Sequence, residues 1–246
     1  MTDIKSLSIL IAAKDEDLSI SQVIESHISL IKKTELQIKW EIGVLDDGST
    51  DRTLEVITSL QEKYPQLKIW HNDKPSGIAN AFKQLANNAE HEWIYITSGD
   101  GQFTAVGLEK MLESWFLNPI TTLGVRTSRF SSYGFWRSFI SFVFQATTRI
   151  VFRVNLRDPG SVKIIKKKVA LADLKSKSTM RDAELLARAH HISGGLQFVE
   201  IPFLPRNTGR ASGIKPRNLI ANLQDLWVLA FSSEYRRTAR QTISKS

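Results

Sequence analysis

Asp100 and Gln102 stand two residues apart at the end of an apolar run, in the stretch IYITSGDGQF at residues 94–103. In an extended segment that spacing points both side chains the same way. Two hard oxygen donors on one side suit Mg²⁺ or Mn²⁺ carrying a diphosphate. Gly99 and Gly101 flank the acid, and such glycines let a backbone turn sharply and approach a ligand closely. The competing reading is a plain Asp-Gly turn between strands. A second acidic pair, Asp46 and Asp47, ends the run WEIGVL and leads into Gly48-Ser49-Thr50-Asp51. Adjacent like charges repel, so packing gives little reason to place both there. Asp51 is placed to cap the helix that follows. A third cluster, Asp15-Glu16-Asp17, follows the run LSILIAA and Lys14.

Elements of strand and helix length must position these acids. Apolar runs predict strands over residues 7–13, 40–45, 67–71, 93–97, 121–126, 162–165 and 196–201. Between them lie helical spacings. After Ser19 the stripe is Ile20, Val23, Ile24, Ile28 and Ile31, with Ser19 and Gln22 in a capping-box pattern and Leu18 able to staple onto Val23. Further helices are expected near 54–61, 76–89, 105–115 and 182–189, and an amphipathic one over 216–235 opens on Pro216. Strands alternating with helices predict an α/β fold, a mostly parallel sheet covered on both faces, whose ligands bind at the carboxyl edge. Residues 133–154 break the pattern. They read as a helix with a wide aromatic face and flanking arginines, either a membrane-interface helix or a core helix of the same domain. Lys166-Lys167-Lys168 reads as a solvated face, and residues 236–246 as a basic tail.

The 246 residues are 42% hydrophobic and 24% charged, as in soluble globular proteins. The absence of cysteine excludes disulfides and thiolate metal sites and fits a reducing compartment. No run approaches the length of a transmembrane helix, and MTDIKSLSIL has too short an apolar run for a signal peptide. A net charge of +8 favours anionic partners: phosphates, acidic lipid or nucleic acid. The last is disfavoured, because the cationic residues are scattered and no nucleic-acid-binding motif is present.

Three signatures stand in fixed order: LSILIAAKDE, VLDDGSTDRT and YITSGDGQF. Together they resemble the family-two glycosyltransferases of the GT-A fold, and most nearly the polyprenyl-phosphate sugar synthases, among them dolichyl-phosphate mannose synthase. TLGVRTSRF, RDPGSVKIIKK and the segment from AELLARA to ASGIK are similar to later parts of the same pattern, so the likeness spans about residues 5–230.

The resemblance implies one GT-A domain over residues 1–235, with Rossmann-like architecture. It implies a nucleotide-sugar donor held by Ala13, Asp15, Glu16, Asp46, Asp47, Ser98 and Gly99, with Mg²⁺ or Mn²⁺ on Asp100 and Gln102. It places Arg126, Arg129, Ser161, Arg206 and Lys215 against phosphates of donor or acceptor. The implied reaction is inverting transfer to a polyprenyl phosphate, by a protein peripheral on the cytoplasmic face of the cell membrane. Transfer to a hydroxyl of a growing surface glycan is the second reading, and a non-catalytic nucleotide-sugar-binding protein the third. Asp100, Arg206 and Asp182 are the candidate catalytic residues. Asp182, with Glu184, is the acid available as a base, which a hydroxyl acceptor needs and an ionised phosphate does not. Both acids fall at a predicted helix start, where the dipole stabilises a carboxylate, and a phosphate acceptor is the favoured expectation. The chain departs from the family at Ser98, where an acid is usual, at Thr104 and Ala105, where prolines are usual, and at Asp15, where asparagine is common. The expectation for Asp47→Asn is weaker donor binding with little change in stability.

Overall fold

The computed structural model describes residues 5–127, 146, 148–150, 152, 154–176, 180–205 and 225. The chain runs β1 (Lys5–Ala13), α1 (Ile20–Lys33), β2 (Ile38–Asp46), α2 (Thr53–Lys63), β3 (Leu67–His71), α3 (Ile78–Asn88), β4 (Trp93–Ser98), α4 (Ala105–Leu117) and β5 (Thr121–Arg126). It continues through β6 (Lys163–Lys166), the short α5 (Lys167–Ala170), α6 (Met180–Ser193) and β7 (Leu196–Ile201). The expected helices at 133–154 and 216–235 and the basic tail lie outside the described residues, apart from isolated positions.

Seven strands form one sheet in the order β3-β2-β1-β4-β6-β5-β7. All neighbours are parallel except those of β6, which is antiparallel to both β4 and β5. The start of β6 therefore shares an edge with the carboxyl ends of the other six strands. Burial on both faces explains the unbroken apolar runs. Ile9 and Ile11 of β1 pack with α1, α2 and α4, through Ile24, Ile57 and Trp115 among others. Leu10 and Ala12 face the other way, against α3, α5 and α6, through Leu85, Val169 and Leu185. The predicted stripe of α1 is buried throughout.

Two local expectations fail. No capping box forms at α1: the Ser19 hydroxyl donates instead to the Gly99 carbonyl at 2.8 Å, and Leu18 is exposed. A partner 80 residues away in sequence takes the hydroxyl that a local cap would have used. The lysine run is not one solvated face either. Lys166 pairs with Glu92 at 2.9 Å, and Lys167 donates to the Ala89 carbonyl at 2.6 Å at the end of α3, so only Lys168 is exposed.

The loop after β2 packs on the turn after β3. Gly48 has φ +69°, and a Cβ there would lie 2.7 Å from the backbone nitrogen of Pro75. Both the left-handed conformation and the closeness require glycine. Gly48→Ala is expected to cost about 1–3 kcal/mol, read as a lower Tm in thermal unfolding. An unchanged Tm would mean that the two loops do not pack this way.

Candidate active site

β1 continues in sequence to β2 and β3 on one side, while β4 joins it on the other, so the crevice between β1 and β4 is the switch point of the sheet. Ligands of open α/β sheets bind at that place, outside the carboxyl ends of the strands. Three loops meet there: 14–19 after β1, 47–52 after β2 and 99–104 after β4.

The first two loops are tied together. The Asp47 N–H donates to the Ala13 carbonyl at 2.9 Å, extending the pairing of β1 with β2. The Asp15 carboxylate accepts from the Thr50 N–H at 2.8 Å, and the Asp15 N–H donates to the Ser49 hydroxyl at 2.9 Å. That backbone bond, above all, holds the Asp15 carboxyl below its usual range. The buried Glu16 donates its N–H to the Thr53 hydroxyl at 2.8 Å. Asp51 accepts from the N–H of Thr53, the first residue of α2, at 2.9 Å and of Asp17 at 3.2 Å, so it holds the helix start to the first loop, although the N-cap position itself is Arg52.

The acidic pair divides its work. Asp46 is fully buried, accepts from the Ser49 hydroxyl and bonds His71 Nδ1 at 2.7 Å. Asp47 turns to the 72–77 segment. Its Oδ1 accepts from Asn72 Nδ2 at 2.9 Å and from the N–H and hydroxyl of Ser76 at 2.8 Å each, and its Oδ2 accepts from the Gly77 N–H at 2.8 Å. His71, Asn72 and Ser76 support the site, and sequence reasoning gave them no role in it. Their link to the acids crosses 25 residues or more, and no local spacing reveals it.

At the end of β4 the Gly99 N–H donates to the Ala12 carbonyl at 2.9 Å. A Cβ on Gly99 would come within 2.8 Å of the Ile20 side-chain tip and 3.1 Å of the Ala13 Cβ, so the turn lies close against β1 and α1 and a larger residue would have to push the Ile20 tip aside. Asp100 is 9% exposed, and its Oδ1 accepts from the Gln102 N–H at 3.1 Å while its own N–H donates to the Ser98 hydroxyl at 3.3 Å. The segment is not extended: it turns, with Gly101 at φ +72°. The two-residue spacing therefore does not carry the alignment of Asp100 with Gln102. The Gln102 amide donates to the Leu204 carbonyl at 3.3 Å, and Phe103 bridges to Phe203, which ties the β4 turn to the chain leaving β7.

The expected phosphate ligands fare differently. The Arg126 guanidinium grips the buried Asp158 carboxylate through Nε, at 2.7 Å, and Nη2, and stacks over Phe203 with 4.9 Å to the ring centroid. Ser161 is buried near the start of β6. Asp182 lies in the first turn of α6, 3.7 Å from Lys163 Nζ. Glu184 is fully buried and accepts from the N–H groups of Lys175 and Ser176, at 3.0 and 2.8 Å, so its carboxylate caps that loop. Arg129, Arg206 and Lys215 lie outside the described residues. Among the described residues no group of three His, Cys, Asp or Glu side chains is arranged to hold a metal by itself.

Residues 8–173, which include all three loops, match the description of glycosyl transferase family 2. The chain belongs to that family. A dolichyl-phosphate beta-glucosyltransferase of Trichomonas vaginalis is 25% identical over 95 residues, which are 37% of this chain and 28% of that protein. A beta-monoglucosyldiacylglycerol synthase of Synechocystis is 34% identical over 61 residues, 25% of this chain and 12% of that protein. The chain spans less than a third of the length of the curated relatives it matches. Glucosyl-3-phosphoglycerate synthase of Mycobacterium tuberculosis, solved with Mn²⁺, UDP-glucose and phosphoglyceric acid, superposes with a TM-score of 0.67 at 13% identity, over 92% of this chain and 80% of that one. The architecture is thus the GT-A fold that the sequence predicted.

In this member of glycosyl transferase family 2, Asp47 is bonded to the protein's own loops. Burial alone would raise its pKa, but the bonds from Asn72, Ser76 and Gly77 outweigh that and hold it below the ordinary 3.8. A carboxyl with a depressed folded pKa stabilises the fold above its unfolded pKa, and that contribution is lost as pH falls through the folded one. Asp47→Asn would set an amide NH₂ against existing donors. Contrary to the sequence expectation, it should lower stability by about 1.5–3 kcal/mol at pH 7. The gap from the parent should narrow below pH 4. Thermal unfolding across pH checks this, and a Tm equal to the parent's at pH 7 would contradict it.

Proposed function

We propose that this protein transfers a sugar from a nucleotide-sugar to a polyprenyl phosphate, with anomeric inversion, and that it works peripherally on the cytoplasmic face of a membrane. The observation that carries the donor half is Asp100, an almost buried carboxylate on a glycine-flanked turn at the switch point of the sheet. The Asp15, Glu16 and Asp47 loops beside it supply walls for the nucleoside. Asp100 and Ser98 offer hard oxygens suited to Mg²⁺ or Mn²⁺, and a cation that keeps waters and takes further ligands from a diphosphate fits a site with one carboxylate. When bound, such a cation supplies positive charge to the departing diphosphate. The chain's own part is to hold the donor's anomeric carbon in line between leaving group and acceptor. An acceptor oxygen bonds to that carbon as its bond to the diphosphate oxygen breaks, and the electron pair leaves with the nucleoside diphosphate.

A lipid acceptor is supported by the rim of the same edge. Leu18 on the β1–α1 loop, Ile78 and Val106 in the first turns of α3 and α4, and Leu204 after β7 are large, exposed and apolar. Two relatives are named for dolichyl phosphate, whereas others are named for diacylglycerol or phosphoglycerate products. No helix among the described residues is long and apolar enough to cross a membrane. An ionised phosphate needs no base, in keeping with a Glu184 already engaged and an Asp182 paired to Lys163. A hydroxyl acceptor is the second reading, and the observation in its favour is that the Asp182 side chain is 45% exposed.

Asp100→Ala should lower turnover on the order of 10²-fold and abolish metal-dependent donor binding, measured by calorimetry with a panel of nucleotide-sugars. Wild-type binding and turnover would place the site elsewhere. Ser98→Asp, which restores the family acid, should tighten Mn²⁺ binding in the presence of nucleoside diphosphate. The protein should also float with anionic vesicles at low salt and be released at high salt. Failure to float at low salt would sink the membrane part of the proposal.

A further inference from the structure

Lys163 lies on β6 between β4 and β5, in register with Ile96 on one side and Leu123 on the other. Two residues from the Ile96 pair, toward the carboxyl edge, stand Ser98 on β4 and Ser161 on the chain entering β6. The Lys163 side chain is only 8% exposed, and its ion-pair partner among the described residues is Asp182, at 3.7 Å. An ammonium has three donors to satisfy. One long contact to a half-exposed carboxylate does little to offset the cost of burying that charge. Arg126, the neighbouring cation at this edge, contrasts with it, because the buried Asp158 accepts from its guanidinium twice.

A second buried group close by is also unsatisfied. The Ser161 hydroxyl is 3% exposed and has no hydrogen-bond partner among the described residues, although the Ser161 N–H donates to the Asp158 carbonyl at 3.0 Å. The same segment lies beside Asp182: a Cβ on Gly160 would be 3.9 Å from the Asp182 carboxylate. Asp182 itself stands in the first turn of the 14-residue α6, whose amino end favours negative charge. An underpaired ammonium, an unpartnered hydroxyl and a helix amino end thus gather on the side of β4 away from β1, at the edge where the chemistry is proposed.

We propose that Lys163 and Ser161 form the oxyanion subsite for the acceptor's phosphate monoester, with Asp182 as the displaceable counter-ion of Lys163 and not as a general base. This rests on the phosphate-acceptor reading above. An incoming phosphate offers several acceptor oxygens and more charge than Asp182, so it competes for the same ammonium. Removing the Asp182 charge removes the competitor, and the subsite then binds phosphate more tightly. Loss of a general base would instead leave binding unchanged and abolish turnover.

The test uses the full chain and farnesyl phosphate, a short-chain polyprenyl phosphate. Binding is followed by ³¹P NMR titration, and turnover by steady-state kinetics at saturating donor. Lys163→Met should weaken farnesyl phosphate binding about tenfold or more, raise its KM in proportion and leave donor affinity unchanged. Lys163→Arg should recover most of the loss. Asp182→Asn should tighten farnesyl phosphate binding severalfold and retain turnover. A folded Lys163→Met with parental affinity overturns the proposal, as does an Asp182→Asn that binds farnesyl phosphate like the parent but turns over none of it. If Lys163→Met does not fold, the Asp182→Asn titration decides alone. A parent chain that ignores farnesyl phosphate yet glycosylates a hydroxyl acceptor overturns the phosphate-acceptor reading itself, a result distinct from a Lys163→Met variant that behaves as the parent.

Discussion

Too many carboxylates meet at one edge of this sheet to be left unpaired. Asp15, Glu16, Asp46, Asp47, Asp51 and Asp100 all follow or end β1, β2 or β4, three adjacent strands. Left alone they would repel one another and push the loops apart. The fold answers with neutral donors more than with cations. Thr50, Thr53 and Gln102 offer backbone N–H groups to Asp15, Asp51 and Asp100, while Asn72, Ser76 and Gly77 surround Asp47. Each bond compensates charge and also fixes a loop, so the electrostatics and the shape of the crevice are one problem with one solution.

The two sides of the sheet differ in kind. Toward β2 and β3 the edge is built from acids held by amides and hydroxyls. Toward β6 and β5 it carries Lys163 and Arg126, one underpaired and one clamped by Asp158. A donor whose diphosphate travels with a divalent cation suits the acidic side, and an anionic acceptor suits the basic one. The boundary between them is β4, whose end carries Ser98 and Asp100. On the proposed phosphate-acceptor reading, a hydroxyl in place of a second carboxylate at Ser98 would keep negative charge low beside Lys163.

Local pattern made most of the framework legible. β3, β5 and β7 fall on the residues predicted, β1 and β2 begin two residues earlier than the apolar runs suggested, and the apolar stripe of α1 is buried as read. What escaped was long-range. Ser19 looks like a local cap but serves Gly99, 80 residues on. The donors that hold Asp47 lie on the turn after β3, a link that no local spacing reveals. The antiparallel insertion of β6 between β4 and β5 leaves no trace in a periodicity, because strand direction is set by the connection and not by the strand's own residues. That insertion brings Lys163 and Ser161 to the carboxyl edge. The spacing argument for Asp100 and Gln102 failed for a related reason: it assumed an extended chain where Gly101 makes a turn.

The most direct measurement is product analysis. The purified chain is incubated with a panel of nucleotide-sugars and farnesyl phosphate, with and without Mn²⁺ or Mg²⁺, and the product's linkage and anomeric configuration are read by NMR. The account predicts a metal-dependent farnesyl-phosphate sugar whose anomeric configuration is inverted relative to the donor. A product with retained configuration, a sugar attached only to a hydroxyl acceptor, or no turnover of any nucleotide-sugar would contradict it.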